Sequence, residues 1–391
     1  MLTFEEKANY KIRGWRNINI LFLGGHEIRI VSRFFATNKT RFKRSKGFHP
    51  GLVLLGITER LSPATLDLLA KSAAALGSMR DAQTALDDQG IHVSLARITT
   101  AVQAFAAQAK RLRTNDPSLK TLQITGRKLV VSVDGGRIHK NKKGPKTKKN
   151  RTRYKTEWRE PKLLCIYFLD EHGEVDRTIP PVLDGTMKHV DEIFKMLCCY
   201  LAMLPMDAET EVLFISDGAD CLWKRVHLVE KTVREKGARF RCLLDYYPMK
   251  TYLHNMADAA KDWTKKQRTG WIRRMTKSLF EGNKDSFEKE IKTLQKNSRK
   301  GSVPRTAGNY LLKHSRLGHM NYAEARRFNF PIGSGVIEST VRRVVNLRLK
   351  GPSVYWTELM AEHMLLLRSL YKAKRWQLLE YQELATQKSP A

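Results

Sequence analysis

Two apolar stretches of this chain each end in an aspartate followed by a glycine, and they constrain the fold more than any other feature. Residues 128–137 read KLVVSVDGGR, and residues 211–220 read EVLFISDGAD. Both runs are rich in β-branched and aliphatic residues, which predicts strands that are buried on both faces of a sheet. If the two strands run parallel in one sheet, Asp134 and Asp217 reach the same edge, where ligands bind. Taken alone, each aspartate also fits an ordinary turn.

A third acid, Glu338, lies in the first turn of a helix predicted over 336–347, directly after the glycine-rich turn 333–335. An acid in a first turn often does no more than interact with the helix dipole. Together with two strand-end aspartates, however, it completes the acidic set of two-metal phosphoryl chemistry. Close carboxylates repel each other unless a cation lies between them, and Mg²⁺ prefers oxygen ligands. We therefore predict that Asp134, Asp217 and Glu338 are catalytic and hold Mg²⁺, for which Mn²⁺ can substitute.

The charge balance points to a polyanionic partner. The 391 residues include 71 Lys or Arg against 39 Asp or Glu, a net charge of +32, while hydrophobic residues make up 42%. A globular protein with such an excess of positive charge is predicted to bind nucleic acid. There is no apolar run long enough for a transmembrane helix and no signal-peptide pattern near the N-terminus. Five cysteines without a CxxC motif indicate buried thiols in a reducing cytoplasm.

The first 116 residues predict a small, mainly helical domain. Residues 1–50 form a short β and basic segment, with two strands in 17–36 around a Gly-Gly turn. Residues 51–116 predict three helices, each opening at a serine that can cap it, with a glycine turn between the second and third. This outline fits a helix-turn-helix that docks on DNA, with Arg97 as a phosphate contact. An ordinary helical hairpin fits the same pattern.

A basic run leaves directly from the first acid-bearing stretch. Between Arg137 and Lys155 there are ten Lys or Arg residues and no acid. We predict a mobile loop that contacts a phosphate backbone, with a solvated charged face as the alternative. The candidate DNA contacts of the catalytic region are Arg137, Lys140, Arg159, Lys162, Arg342, Arg348 and Lys350. Trp158 and Trp356 are predicted to be buried in the core, with base stacking as the alternative role.

The remaining chain predicts an α/β core interrupted by helices. Residues 117–248 form the first part of this core, 249–329 a helical insertion without any β pattern, and 330–391 the C-terminal catalytic helices. Within the core, 163–169 predicts a strand that makes a hairpin with the first acid-bearing strand, and 177–181 predicts a short third strand.

Five motifs in this order, VSVDGGR, TEWRE, FISDGAD, LLDYY and GSGVIES…VVNLRLK, resemble those of bacterial insertion-sequence DDE transposases of the Mutator-like, Kra-type group. The resemblance runs from about residue 50 to Trp376. It implies an RNase H-like catalytic core, a central mixed sheet flanked by helices, with an all-α insertion and a small helical N-terminal domain before it. It also implies that Asp134, Asp217 and Glu338 are the acidic triad. Relatives often carry a histidine three residues after the aspartate of the LLD motif, where this chain has Pro248; His254 is a candidate substitute.

By this resemblance the chain binds the terminal inverted repeats of its element, cleaves a strand with metal-activated water, and transfers the freed 3′-hydroxyl to target DNA. A homodimer or larger assembly in the bacterial cytoplasm, associated with the nucleoid through DNA, is implied as well. Three alternatives stay open: an RNase H-like nuclease without strand transfer, a catalytically silent DNA-binding descendant, and a structural packaging protein. Asp220 and Asp245 are alternative members of the acid set.

Overall fold

The chain divides into two compact units in the computed structural model, which describes residues 10–37, 47–146, 152–296, 298–299, 301–351 and 354–379. The first unit joins Met1–Arg111 with Leu359–Ala391, and the second is Leu112–Glu358. Among the described residues, no helix combines the length and apolar character needed to cross a bilayer.

The first unit begins with a β-hairpin. Strands β1 (Tyr10–Leu21) and β2 (Glu27–Thr37) pair antiparallel, and the short β3 (Gly47–Phe48) adds to β2. Ile18 and Ile20 on β1 are buried, so one face of the hairpin packs on its own small core. The prediction of two strands around the Gly-Gly turn is confirmed, although both strands are longer than predicted. The basic residues predicted to follow, between 38 and 46, lie outside the described part of the chain.

Helices follow the hairpin in the first unit. They are α1 (Pro50–Leu54), α2 (Pro63–Ala75), α3 (Met79–Asp87) and α4 (Leu95–Ala109). The three predicted serine caps are confirmed, because each serine oxygen accepts a hydrogen bond from the amide three residues later; they are Ser62, Ser78 and Ser94. The three helices exist as predicted, while their docking on DNA stays a prediction.

Helix α15 (Glu358–Lys372) belongs almost entirely to the first unit. The guanidinium of Arg368 donates to the carbonyl of Ala74 at 2.6 Å, and the Trp376 indole N–H donates to Asp67 at 2.6 Å. Trp376 also stacks on Phe105. The sequence grouped residues 330–391 with the catalytic helices, whereas these contacts tie the chain from Leu359 onward to the N-terminal helices.

The second unit is built on a five-stranded mixed sheet. Its strands are β4 (Lys128–Gly135), β7 (Lys162–Leu169), β8 (Val182–Thr186), β9 (Glu211–Ser216) and β10 (Arg239–Leu244), in the spatial order β10-β9-β4-β7-β8. Strands β4, β9 and β10 are parallel, while β7 is antiparallel to β4 and β8 to β7. This mixed sheet, flanked by helices, is compatible with the predicted RNase H-like core. The predicted third strand is misplaced: it lies at β8, just after residues 177–181.

The basic run after β4 was predicted to be a mobile loop, but its described residues pair as strands, while residues 147–151 lie outside the described part of the chain. It forms an antiparallel pair, β5 (Ile138–Lys146) and β6 (Thr152–Arg159), with Ile138 opposite Arg159. The Trp356 segment adds a bridge to β5 at Lys140. Backbone pairing along the two strands and the buried Ile138 side chain stabilise a hairpin that the charge pattern alone did not predict.

Helices cover both faces of the sheet and form the insertion. They are α5 (Pro117–Lys120), α6 (Val190–Met203), α7 (Asp220–Trp223), α8 (Val226–Glu235), α9 (Tyr246–Asp258), α10 (Lys265–Phe280), α11 (Lys284–Lys296), α12 (Val303–Arg316), α13 (Tyr322–Arg327) and α14 (Gly335–Val341). The described residues from α9 to α12 contain no strand, as the insertion prediction required. The helix predicted over 336–347 is α-helical only as α14 and continues as a π-helical turn, Arg342–Asn346.

Different helices pack on the two faces of the sheet. Val131 and Val133 of β4 belong to the main apolar core together with residues of α6 and α8. Because side chains alternate along a strand, Ser132 and its cross-strand partner Cys165 point to the other face. Thr340 of α14 contacts the Cys165 thiol there. Helix α14 therefore lies on the face opposite to the main core.

Candidate active site

The carboxyl ends of β4 and β9 lie side by side. The two strands pair in parallel register up to Val131 and Phe214. Beyond that pair, the hydroxyl of Ser216 donates a hydrogen bond of 3.0 Å to the carbonyl of Val133 and holds the strand ends together. The next residue on each strand is a predicted catalytic aspartate. The convergence predicted from the two strand–Asp–Gly stretches is thus observed in the backbone.

Asp134 occupies a half-buried position at the end of β4. Burial, followed by the negative charges of Asp217 and Glu338, raises the pKa of Asp134 to about 6, although the Gly135 N–H, at 2.6 Å from Oδ1, and the nearby Lys162 oppose the shift. The other two predicted acids therefore lie close enough to act electrostatically on Asp134. A carboxylate held in a negative potential at neutral pH attracts a cation.

Asp217 sits in a tight turn after β9 and is exposed. Its Oδ1 accepts from the Ala219 N–H at 3.1 Å, and its carbonyl accepts from the Trp223 indole at 2.6 Å. A Cβ at Gly218 would lie 1.7 Å from the Tyr310 hydroxyl, so only glycine fits between this turn and α12. The predicted Asp–Gly turn is thus fixed by packing against the helical insertion.

Glu338 is exposed on α14, and a buried acid fixes the turn that precedes it. The carboxylate of Asp245, at the end of β10, is 0% exposed and accepts from the Ser334 amide at 2.9 Å and from the Ser334 hydroxyl. It also accepts from the Tyr247 amide at 2.8 Å. Asp245 thus supports the turn. The other alternative acid, Asp220, forms an ion pair with Lys313.

The three carboxylates of Asp134, Asp217 and Glu338 are not close enough together to bind one metal ion as they stand. Within the described residues, no three His, Cys, Asp or Glu side chains come close enough to ligate a single ion. The donor chemistry nevertheless suits a hard cation, because three carboxylates with a shared negative potential offer only oxygen ligands. Binding of Mg²⁺ by Asp134, Asp217 and Glu338 therefore requires these side chains to approach one another.

Several predicted DNA contacts lie on the surface of the second unit. Arg137, Arg342 and Lys350 are exposed. Three others already have acidic neighbours: Lys140 bonds Glu358, Arg159 lies 3.0 Å from Glu157, and Lys162 lies 2.7 Å from Glu160. Ion pairs near a protein surface contribute little stability, and the binding of DNA by these three residues stays a prediction.

Two of the predicted DNA contacts are placed differently. Arg348 is 3% exposed, and its guanidinium lies 5.0 Å from the centre of the Trp356 ring. Arg97 donates to the carbonyls of Glu59 and Arg60 at 3.5 and 3.2 Å. Both of those residues have positive φ angles, 54° and 60°, so Arg97 supports a strained turn in the first unit. The buried Arg348 guanidinium is therefore not presented to solvent as a phosphate contact would be, whereas Arg97 is half-buried and its contact with DNA stays a prediction.

Trp158 is exposed, which corrects the prediction of a core position. Its indole is 56% exposed on β6 and lies 3.8 Å, centre to centre, from the ring of His139 on β5. His139 in turn lies 5.8 Å from the exposed Tyr355. A tilted cross-strand contact with His139 replaces burial in the core. Trp356 is buried as predicted.

A cluster behind the Asp217 turn has no counterpart in the sequence predictions. The Nδ1 atoms of His314 and His319 are 3.0 Å apart, and Trp223 stacks on His319 at 3.8 Å. Burial is the main cause that lowers the pKa of each histidine to about 4. In the sequence, the only indication of this cluster was that Tyr310 and His314 are four residues apart and therefore lie on the same side of helix α12. The proposed substitute His254 is exposed on α9, whose first turn contains Pro248.

No protein-family model matches the chain, and no curated protein matches it. Among solved structures, the Drosophila P element transposase strand transfer complex is similar with a TM-score of 0.41 and 9% sequence identity, covering 84% of this chain and 96% of that chain. A likeness at this level establishes neither the fold nor the function of this chain.

Proposed function

We propose that this chain is a DNA transposase, a DDE enzyme of the Mutator-like, Kra-type group, which binds the terminal inverted repeats of its element, cleaves DNA at their ends and joins the 3′-hydroxyl ends to target DNA. The observation that carries the proposal is the meeting of two parallel strand ends at Asp134 and Asp217. The pKa of Asp134, raised to about 6 chiefly by burial and then by Asp217 and Glu338, supports the same acid set.

Asp134, Asp217 and Glu338 are the residues that would hold Mg²⁺. When bound there, the metal would supply the Lewis acidity that polarises the phosphodiester and favours deprotonation of the attacking water or 3′-hydroxyl. The chain itself provides the carboxylates, with Lys162 favouring the ionised form of Asp134. No side chain need become covalently attached to DNA. The reaction therefore depends on positioning and on charge.

The exposed cations supply the binding of DNA. Arg137 leaves β4 three residues after Asp134, and Arg342 and Lys350 follow the helix that carries Glu338. These side chains are expected to bind phosphates on either side of the scissile bond. The net charge of +32 is neutralised when the phosphate backbone binds. Pairing of two element ends implies a homodimer or a larger assembly.

The proposal is tested with the full chain, Mg²⁺, and DNA that contains both flanks of its own gene. Asp134→Asn and Glu338→Gln are each expected to reduce cleavage and joining by about 10³-fold or more, since they remove a metal ligand. Asp220→Asn is the matched control, because it removes a nearby carboxylate outside the acid set, and it is expected to stay within about tenfold of the parent.

Joining of 3′ ends to a target plasmid identifies the transposase. Cleavage without joining would identify the alternative, an RNase H-like nuclease. Full activity of Asp134→Asn would reject the acid set and with it the proposed enzyme. Specific binding without cleavage by the parent chain would identify a silent DNA-binding descendant.

A further inference from the structure

The helical insertion contains a basic cleft that none of the predicted site residues occupies, apart from His254. The cleft has a volume of about 1020 Å³ and is bounded by α9, α10 and α13. Six cations line it: Lys250, Lys265, Arg268, Arg273, Lys277 and Arg326. Two acids line it as well, Asp258 and Glu281. Six positive charges against two negative charges leave four in excess, so the cleft suits a polyanion.

The two acids do not neutralise the middle of the cleft. Asp258 lies 3.6 Å from Arg268, and Glu281 lies 3.6 Å from Lys277. Lys265 and Arg273 make no ion pair with any residue that the structure describes. Both side chains are exposed and belong to α10. Their charges are therefore available to a ligand.

Two polar atoms of the cleft residues are buried without a hydrogen-bond partner in the described chain: Arg268 Nε and Thr276 Oγ1. Buried polar groups in folded proteins nearly always have a partner, so an orphaned pair in one cleft needs an explanation. Both atoms are enclosed by the protein and belong to residues eight positions apart on α10, ~12 Å along the helix axis, so they do not share one ligand. The excess of positive charge on the lining is the observation that indicates an anionic ligand.

The cations are spread along the cleft rather than gathered at one point. Lys265 and Lys277 are twelve residues apart on α10, which corresponds to ~18 Å along the helix axis. At the rim, the Lys250 amine lies 5.8 Å from the centre of the Tyr246 ring, and the Arg326 guanidinium lies 5.0 Å from that of Phe280. Such a row matches successive phosphates of a chain better than the phosphates of one nucleotide.

The cleft also begins close to the acid-bearing sheet edge. Tyr246 lines it and directly follows Asp245, at the carboxyl end of β10. Strands β9 and β10 are parallel, so this is the edge at which Asp217 lies. We propose that the cleft binds the phosphodiester backbone of a DNA strand on its way to or from the acids. This inference rests on the proposed function and assigns DNA contacts that the motifs did not include.

The test compares two double variants of the full chain that remove the same charges from neighbouring positions of one helix. Lys265→Gln with Arg273→Gln removes two of the six cations of the cleft. The matched control is Lys266→Gln with Arg274→Gln, which removes two exposed cations outside the cleft. Binding to a fluorescent DNA duplex is measured over a range of salt concentrations. The logarithm of the binding constant falls with the logarithm of the salt concentration, and each lost phosphate contact makes this slope shallower by about 0.9. We expect the slope of the cleft variant to be shallower than that of the parent by about 1.8, and the slope of the control to change by less than half of that.

Equal slopes for the two double variants would overturn the cleft proposal while the parent still binds and cleaves DNA. A parent chain that binds no DNA would overturn both this inference and the proposed function. ATP is the probe for the competing ligand. If ATP raises the melting temperature of the parent and the control but not of the cleft variant, and the DNA slopes are equal, the cleft is a site for a free nucleotide and the proposal is wrong.

Discussion

The Ser216 hydroxyl donates to the Val133 carbonyl at 3.0 Å, and the residue after each of them is a candidate catalytic aspartate. Regular pairing of β4 with β9 has already ended at Val131 and Phe214. This single side-chain bond therefore bridges the ends of the two strands where backbone pairing no longer does. It fixes the spacing from which Asp134 and Asp217 approach a shared ligand.

Removing that bond should affect both stability and activity. Ser216→Ala leaves a buried carbonyl without its partner, so we expect the free energy of unfolding to fall by about 1–2 kcal/mol and cleavage to fall as well. Urea unfolding and the plasmid assay measure the two effects. Ser132→Ala is the matched control, because Ser132 Oγ is buried one strand away without a hydrogen-bond partner in the described chain. If Ser216→Ala and Ser132→Ala lose the same free energy of unfolding and the same activity, the Ser216–Val133 hydrogen bond contributes to neither.

Asp134 should make the metal-free protein less stable as the pH rises. Burial, then Asp217 and Glu338, raises its pKa from 3.8 to about 6, so between these values the folded chain holds a proton that the unfolded chain has lost. Stability therefore declines from about pH 4 to pH 6 and stays lower above it. We expect Asp134→Asn to be more stable than the parent by up to about 3 kcal/mol at pH 7 in EDTA, and equal to it below pH 4.

Adding Mg²⁺ extends the comparison of the parent with Asp134→Asn. Above pH 6, added Mg²⁺ should raise the melting temperature of the parent and not that of Asp134→Asn, because binding to the folded state stabilises it. The same shift in both proteins would place the ion elsewhere. The pH profile alone would then report only on the burial of Asp134.

The bond between Asp245 and Ser334 should control the helix that carries Glu338. Ser334→Ala removes the hydroxyl donor and leaves the fully buried Asp245 with backbone donors from Ser334 and Tyr247. We expect a loss of about 1–3 kcal/mol in urea unfolding and a larger fractional loss of cleavage than of DNA affinity. Ser339→Ala, on the exposed side of the same helix, should change neither. Equal losses in binding and cleavage would contradict a role in positioning Glu338.

The His314–His319 pair should make the protein sensitive to acid. Burial lowers both pKa values from 6.5 to about 4, so the unfolded chain binds protons that the folded chain does not between these limits. Stability should therefore fall as the pH is lowered from about 6.5 to 4. The double variant His314→Gln, His319→Gln should flatten that part of the profile. Asp134 acts in the opposite direction over pH 4–6, so each effect is obtained as a difference from its own variant.

The central strands could be predicted because burial on both faces selects a recognisable set of residues. Val130, Val131 and Val133 leave few alternatives to a strand, and the same holds for the stretch before Asp217. Strand β8 was missed because Asp184 interrupts its apolar pattern. That carboxylate is buried yet satisfied by Arg113 at 2.7 and 2.9 Å and by the Tyr200 hydroxyl at 2.9 Å. Partners so distant in sequence cannot be read from the strand itself.

The strand ends that carry the candidate acids could be predicted from the sequence, whereas the placement of the candidate cations could be predicted only in part. A strand end followed by glycine localises Asp134 and Asp217, but nothing local separates an exposed arginine from one such as Arg348, which lies over Trp356. The basic cleft of the insertion was likewise hidden, since its side chains come from three helices. Tertiary packing decides which of 71 basic residues face a ligand.

The β5–β6 hairpin leaves the sheet between two residues that are themselves paired, since Gly135 of β4 lies opposite Lys162 of β7. The β4–β7 ladder is therefore complete on its own, and the hairpin is a side branch whose exchange need not move Asp134. Residues of this branch such as Trp158 can therefore be exchanged without altering the strand pairing that places Asp134. Under the proposed function, the hairpin is a separable part through which a new DNA preference can be introduced while the acid-bearing sheet stays the same.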